Sequence, residues 1–207
     1  MGLIKLNDRG VRSATAFGSV SGGSFTFIKK LTASSSATLS FVDGASDVVF
    51  DDTYKEYMFT CNNIHPSANS TLGFNGSDDD SSHSYDVTKT STLFTCTNYE
   101  DGTNNDLGYQ TGGDLAQGSG FQVITEFSSM EDDNDASGSG YLHVFNPSST
   151  TFVKHFIAKM NHMGNAARQI STFTAGYFNT TADITAIQFK MASGNIDAGD
   201  ICLYGIK

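Results

Sequence analysis

AIQFKMASGNIDAGDICLYGIK, residues 186–207, reads as β structure from end to end. Ile187, Phe189 and Met191 recur at every second position, the period that turns one side of a strand toward a core. Further on, Ile201 and Leu203 share one face, and Cys202, Tyr204 and Ile206 share the other. Between the two runs, Ser193-Gly194-Asn195 and Ala198-Gly199-Asp200 supply the permissive backbone of a tight connection. A strand at the close of the sequence is held only where a sheet receives it, so this ending predicts a sheet built by everything before it.

Working upstream, the same period returns. SFTFIKKL (24–31) alternates Phe25 and Phe27 with polar residues, and ATLSFVDG (37–44) offers Leu39 and Phe41 before Asp43-Gly44, a hairpin-turn pair. YKEYMFTCNNIHPS (54–67) carries a strand on Tyr57, Phe59 and Cys61 or on their alternates, and His65-Pro66 marks its end, because proline donates nothing to a ladder. TLGFNGS (71–77) gives Leu72 and Phe74. SYDVTKTS (84–91) and STLFTCTNY (91–99) read as two strands, and residues 100–120 as a long exposed loop with few core candidates. GFQVITEFSS (120–129) alternates through Phe121, Val123, Thr125 and Phe127. GYLHVFNPSS (140–149) does so through Tyr141, His143 and Phe145 or the opposite set, and ends at Asn146-Pro147. TFVKHFIAKMNHM (151–163) suits a strand or a short helix, and its β-branched start favours the strand.

About ten short strands without a long helix predict an all-β chain, an antiparallel β-sandwich of jelly-roll kind. The 207 residues suffice for one core, and no linker after residue 24 separates two. The expected organisation is an N-terminal arm over 1–24 and a sandwich domain over 25–207. Composition agrees: 21 glycines, abundant Ser, Thr, Asn and Asp, and 16 phenylalanines favour turns and strands over helices.

The formal charge of −10 argues against a nucleic-acid backbone as partner. No apolar run approaches the roughly twenty residues of a membrane span, and the N-terminus lacks a signal-peptide core, so synthesis in a cytoplasm without membrane insertion is expected. Cys61, Cys96 and Cys202 are odd in number and widely spaced, which fits buried thiols better than disulfides or a zinc site.

Two acidic loops invite a metal reading. SDDDSSHS offers Asp78, Asp79, Asp80 and His83; MEDDNDASGSG offers Glu131, Asp132, Asp133 and Asp135. Oxygen ligands on a flexible loop are what calcium accepts, yet neither loop has the spacing of a helix–loop–helix calcium site, and solvated charge is the plainer reading. No cofactor is expected. Catalysis is not expected either: these acids sit in hydrophilic runs where burial cannot tune their pKa, the five histidines show no HExxH spacing, and neither a G-x-S-x-G elbow nor a phosphate loop occurs. Tyr99, Tyr109 and Tyr141 flank the long loops and are candidate platforms for stacking on sugar rings.

Three segments carry a resemblance. AIQFKMASGNIDAGDICLYGIK is similar to the closing hairpin of small virion structural proteins of tailed bacteriophages, many from marine hosts. YKEYMFTCNNIHPS resembles a strand of those proteins, GYLHVFNPSSTTFVKHF (140–156) resembles one of their hairpins, and MGLIKLNDRGVRSATAFGS (1–19) looks like their short leader. The resemblance implies a non-enzymatic virion part, a tail fibre or tail appendage, with capsid decoration as the alternative and a free carbohydrate-binding module as a third reading. It implies attachment to other virion proteins through the arm, where Leu3, Ile4, Lys5, Leu6, Arg9 and Arg12 are the expected contact residues. A homo-oligomer, a trimer by the shape of such appendages, and contact with a host-surface glycan are the further expectations.

Overall fold

The structure, a computed structural model, describes residues 24–125 and 129–207. Twelve strands follow in chain order: β1 (Phe25–Thr32), β2 (Leu39–Val42), β3 (Glu56–Pro66), β4 (Leu72–Ser77), β5 (Lys89–Tyr99), β6 (Asn105–Tyr109), β7 (Gln122–Val123), β8 (Gly138–Phe145), β9 (Lys154–Gly164), β10 (Arg168–Phe178), β11 (Ala186–Met191) and β12 (Ile196–Ile206). They form two antiparallel sheets, as the sequence predicts. The larger runs β1-β12-β3-β8-β9-β10-β5-β6 and the smaller runs β2-β11-β4-β7. Among the described residues no helix is long and apolar enough to cross a membrane.

The winding is nested. Where β1 pairs with β12 in one sheet, β2 pairs with β11 in the other; where β12 meets β3, β11 meets β4; where β3 meets β8, β4 meets β7. The chain therefore behaves as a paired ribbon rolled so that its two halves face each other across a core. The antiparallel pairs β9-β10 and β5-β6 lie outside this pattern and widen the larger sheet.

Aromatic rings fill the space between the sheets. Phe59 of the large sheet meets Phe41 and Phe189 of the small one, at centroid distances of 5.2 and 5.4 Å, and Phe74 of the small sheet meets Phe156 at 5.1 Å and Phe178 at 6.0 Å. All six are fully or almost fully buried, and Leu72, Leu203 and Ile201 belong to the same core cluster. Tyr57 is buried too, and its hydroxyl is satisfied by donating to the Asp51 carbonyl at 3.0 Å.

Several expectations are corrected. The 186–207 stretch is not a hairpin: β11 and β12 lie in different sheets and close the core from opposite sides. Only Gly194 sits in the connection; Gly199 (φ +110°) lies inside β12, where the register with β3 shifts, so this glycine makes a bulge in a strand. A side chain there would run into the backbone of Asn63 and Ile64. Asp43-Gly44 does form a turn, with Gly44 at φ +73°, but it leads from the small sheet to the large one. Residues 84–99 contain one eleven-residue strand instead of two, and the expected loop over 100–120 contains β6. As an edge strand with exposed residues on both sides, β6 has no reason to alternate apolar and polar residues. Strand β10 was not resolved by the periodic reading at all, because Thr172, Thr174 and Gly176 occupy its inward positions.

Parity is corrected once and decided once. Around β7 the inward residues include Gln122 and Ile124 where Phe121 and Val123 are expected, and in β8 the inward set is Leu142 and Val144, the alternative left open, so that Tyr141, His143 and Phe145 face outward. Phe127 and the arm residues Leu3, Ile4, Lys5, Leu6, Arg9 and Arg12 lie outside the described residues.

Candidate functional site

The side chains that face away from the core on the eight-stranded sheet carry most of the exposed large apolar residues among those described. The strand registers align them in rows that cross the sheet. One row runs Tyr141, Lys159, Phe173, Phe94, Tyr109 through β8, β9, β10, β5 and β6. Its neighbour runs Phe27, Tyr204, Met58, His143, Ile157 through β1, β12, β3, β8 and β9. The large sheet thus carries apolar residues on both faces, whereas the solvent side of a sandwich sheet ordinarily carries polar ones.

Contacts along these rows are specific. Phe94 and Phe173 stack in parallel at 4.8 Å, and the Lys159 ammonium sits 5.1 Å from the Phe173 centroid, which spends its charge on the ring face. Phe27 meets Tyr204 edge-on at 5.7 Å, and His143 packs between Tyr141 and Phe145 at 5.1 and 6.2 Å. His143 Nδ1 is in close contact with the Glu56 carboxylate, so the acid on this face has a partner. Around Phe94, Phe173, Tyr141 and Ile157 the surface dips into a shallow depression of about 200 Å³.

A second, polar hollow of about 310 Å³ lies on the opposite side of β5, lined by Thr95, Thr97, Tyr99, Asn105, Asp106 and Arg168. The Arg168 guanidinium stacks over the Tyr99 ring at 5.8 Å. The three tyrosines proposed for sugar stacking are therefore divided. Tyr109 and Tyr141 share the outer row, four strands apart, with the Tyr109 hydroxyl donating to Asp114 at 2.6 Å; Tyr99 belongs to the polar hollow.

In the first acidic loop the carboxylates of Asp78 and Asp79 are engaged by the protein itself. The Asp79 carboxylate accepts from the backbone N–H groups of Ser82, His83 and Ser84 at 2.6, 2.8 and 3.0 Å and from the hydroxyls of Ser77, Ser82 and Ser84. Those donors, the Ser84 amide first, hold its carboxyl well below the usual carboxylate range. Asp78 accepts from the Thr180 hydroxyl at 2.9 Å, while Asp80, Asp132, Asp133 and Asp135 are exposed. Among the described residues no three His, Cys, Asp or Glu side chains converge as a metal-sized group.

Buried polar groups lie on the inner side of the widened sheet. Lys89, fully buried, donates to Asn75 Oδ1 at 2.5 Å and to the Val87 carbonyl at 2.7 Å, and burial pushes its ammonium down to about 7. Gln122 bridges Ser91 and the Gly113 carbonyl at 2.5 and 2.9 Å. Lys154 donates to the carbonyls of Thr180 and Ala182, pinning the chain between β10 and β11. These groups are answered by fixed protein acceptors and read as structural supports.

Sequence reasoning missed the outer face as a site, although its signal was present. In GYLHVFNPSS, YKEYMFTCNNI and DICLYGIK both parities are apolar, which left the inward set undecided. That ambiguity is itself the signature of a strand with two apolar faces. Compared with known protein families, curated proteins and solved structures, the chain matches none.

Proposed function

We propose that this chain is a non-enzymatic structural subunit of a bacteriophage particle, carried on the tail as a fibre or appendage component and joined to neighbouring virion proteins through residues 1–24. The observation that carries this reading is the apolar outer face of the eight-stranded sheet. A surface of that kind on a strongly acidic chain is suited to being covered by protein, which is what a particle subunit requires. The segments quoted above that resemble phage virion proteins supply the kind of particle. The nested order β1-β12-β3-β8 over β2-β11-β4-β7 supports reading the sandwich as a jelly roll with β5-β6 and β9-β10 inserted.

The test is to locate the chain in purified particles by quantitative mass spectrometry together with a low-resolution particle map. A few tens of copies or fewer, placed on the tail, are expected. Hundreds of copies on the head lattice would instead make it a decoration protein, and absence from particles would remove the virion reading altogether.

A further inference from the structure

We propose that the outer face of the eight-stranded sheet is covered by the same face of a second copy of this chain. The inference deepens the assembly reading by naming the occupant; it rests on this face being a contact surface and not on which particle carries it.

Area is the first argument. Nine large apolar side chains stand out as exposed among the described residues, and seven of them, from Phe25 on β1 to Tyr109 on β6, lie on this one face; the other two are Val49 and Phe152. Leu107 is 70% exposed and Ile157, near the centre, 49%. At roughly 200 Å² for a large side chain, the seven together leave about 700 Å² of apolar surface, close to the ~800 Å² that each partner contributes to a standard stable interface. Met58, Tyr204, Ile206, Phe145 and Phe173, which are partly exposed between them, make the patch continuous.

Charge is the second. Two copies of a chain with net charge −10 repel wherever their acidic loops face each other, so self-association needs a surface from which charge has been withdrawn. The outer rows provide one. Lys30 pairs with Asp200 at 3.3 Å toward the β1 edge, Lys159 lies over Phe173, and the Glu56 carboxylate is engaged by the His143 ring. A strongly basic partner would find its complement in the loops instead of here.

Shape is the third. Two sheets pack face to face with their side chains interdigitated about 10 Å apart, and the rows of Phe, Tyr, Ile and Met presented here are the residues that fill such a layer. Contact of a face with itself is isologous, so the two-fold dimer is the unit expected in solution, in place of a trimer.

The experiment measures the mass of the full chain by sedimentation velocity and multi-angle light scattering over a concentration series. The wild type is expected at the mass of two chains. Ile157→Glu and Phe27→Glu place a charge on outward positions of β9 and β1, and each is expected to weaken association about 30-fold or more, the loss typical of an interface hot spot. Far-UV circular dichroism checks that each variant keeps its β signal, and Phe152→Glu, exposed but off this face, is expected to leave the mass of two chains unchanged. A wild type that stays at one chain mass overturns the proposal, as does an oligomer that survives both face substitutions. Self-association without incorporation into particles would uphold the interface and remove the virion reading; incorporation of a chain that is monomeric in solution would do the reverse.

Discussion

Phe94 on β5 and Phe173 on β10 are direct cross-strand partners, and their rings lie parallel, 7° apart in plane with centroids 4.8 Å apart, on the outward side of the large sheet. A stacked pair in that position joins the inserted hairpin β5-β6 to the rest of the sheet without help from the core. Phe94→Ala and Phe173→Ala are expected to couple in a double-mutant cycle by about 0.5–1 kcal/mol. Urea unfolding of the two single variants and the double variant measures this, and strictly additive losses would mean that the rings stabilise the sheet independently.

Phe74 is the central ring of the inter-sheet packing, touching Phe156, Phe178 and Phe189. Phe74→Ala leaves a cavity that three rings on two sheets cannot jointly fill, so a loss of about 3–5 kcal/mol is expected. Calorimetry should show Tm lowered by roughly 10 °C. Phe152→Ala, on the exposed loop after β8, should leave Tm nearly unchanged.

Stability should rise with pH across two windows. His162 is buried, and among the described residues neither ring nitrogen has a hydrogen-bond partner; burial, then the Arg168 charge, pushes it down to about 4 from 6.5. Between these values the unfolded chain binds a proton that the folded chain refuses, so stability is lost as pH falls from 6.5 to 4. Lys89 behaves alike between about 7 and 10.5, adding stability as pH climbs. Cys61 opposes it: burial pushes its thiol up to about 12 from 9.0, so its contribution is lost above pH 9. Urea midpoints from pH 4 to 10 are expected to rise to about pH 9 and then level off, where the Lys89 gain and the Cys61 loss cancel. His162→Leu should flatten the acid limb, and Lys89→Met should flatten the rise from pH 7.

Asp79 holds the 77–84 loop by accepting from four consecutive backbone amides, those of Ser81, Ser82, His83 and Ser84. Asp79→Ala releases all of those donors at once. Hydrogen exchange should then speed up at Ser82, His83 and Ser84 while the protected amides of β3 and β12 are unaffected. Because the carboxyl is held well below its usual range, the wild-type loop should keep its protection in mildly acidic solution.

Much of this architecture was legible in the chain because a strand with one core face writes its burial into alternate residues. Leu39 and Phe41, Tyr57 and Phe59, Leu72 and Phe74, and Ile187, Phe189 and Met191 are all inward as their alternation implies. Where alternation was weak the reading failed for identifiable reasons. The inward threonines of β10 have the polarity of surface residues, and β6 at the sheet edge has no core side. Gly199 signalled a connection because a bulge and a turn demand the same backbone freedom. The outer face was hidden behind the apolar residues of both parities in β3, β8 and β12.

The sequence by itself determined that this is a β chain, where most of its strands lie and which residues fill its core, since these follow from a period of two and from side-chain volume. Only the tertiary structure decided which strands become neighbours. Phe27, Tyr204, Met58, His143 and Ile157 are scattered over 178 positions of sequence and become one row because hydrogen-bonded registers join strands far apart in the chain. Nothing local to any of them encodes that row, and the surface it forms is where the proposed assembly contact lies.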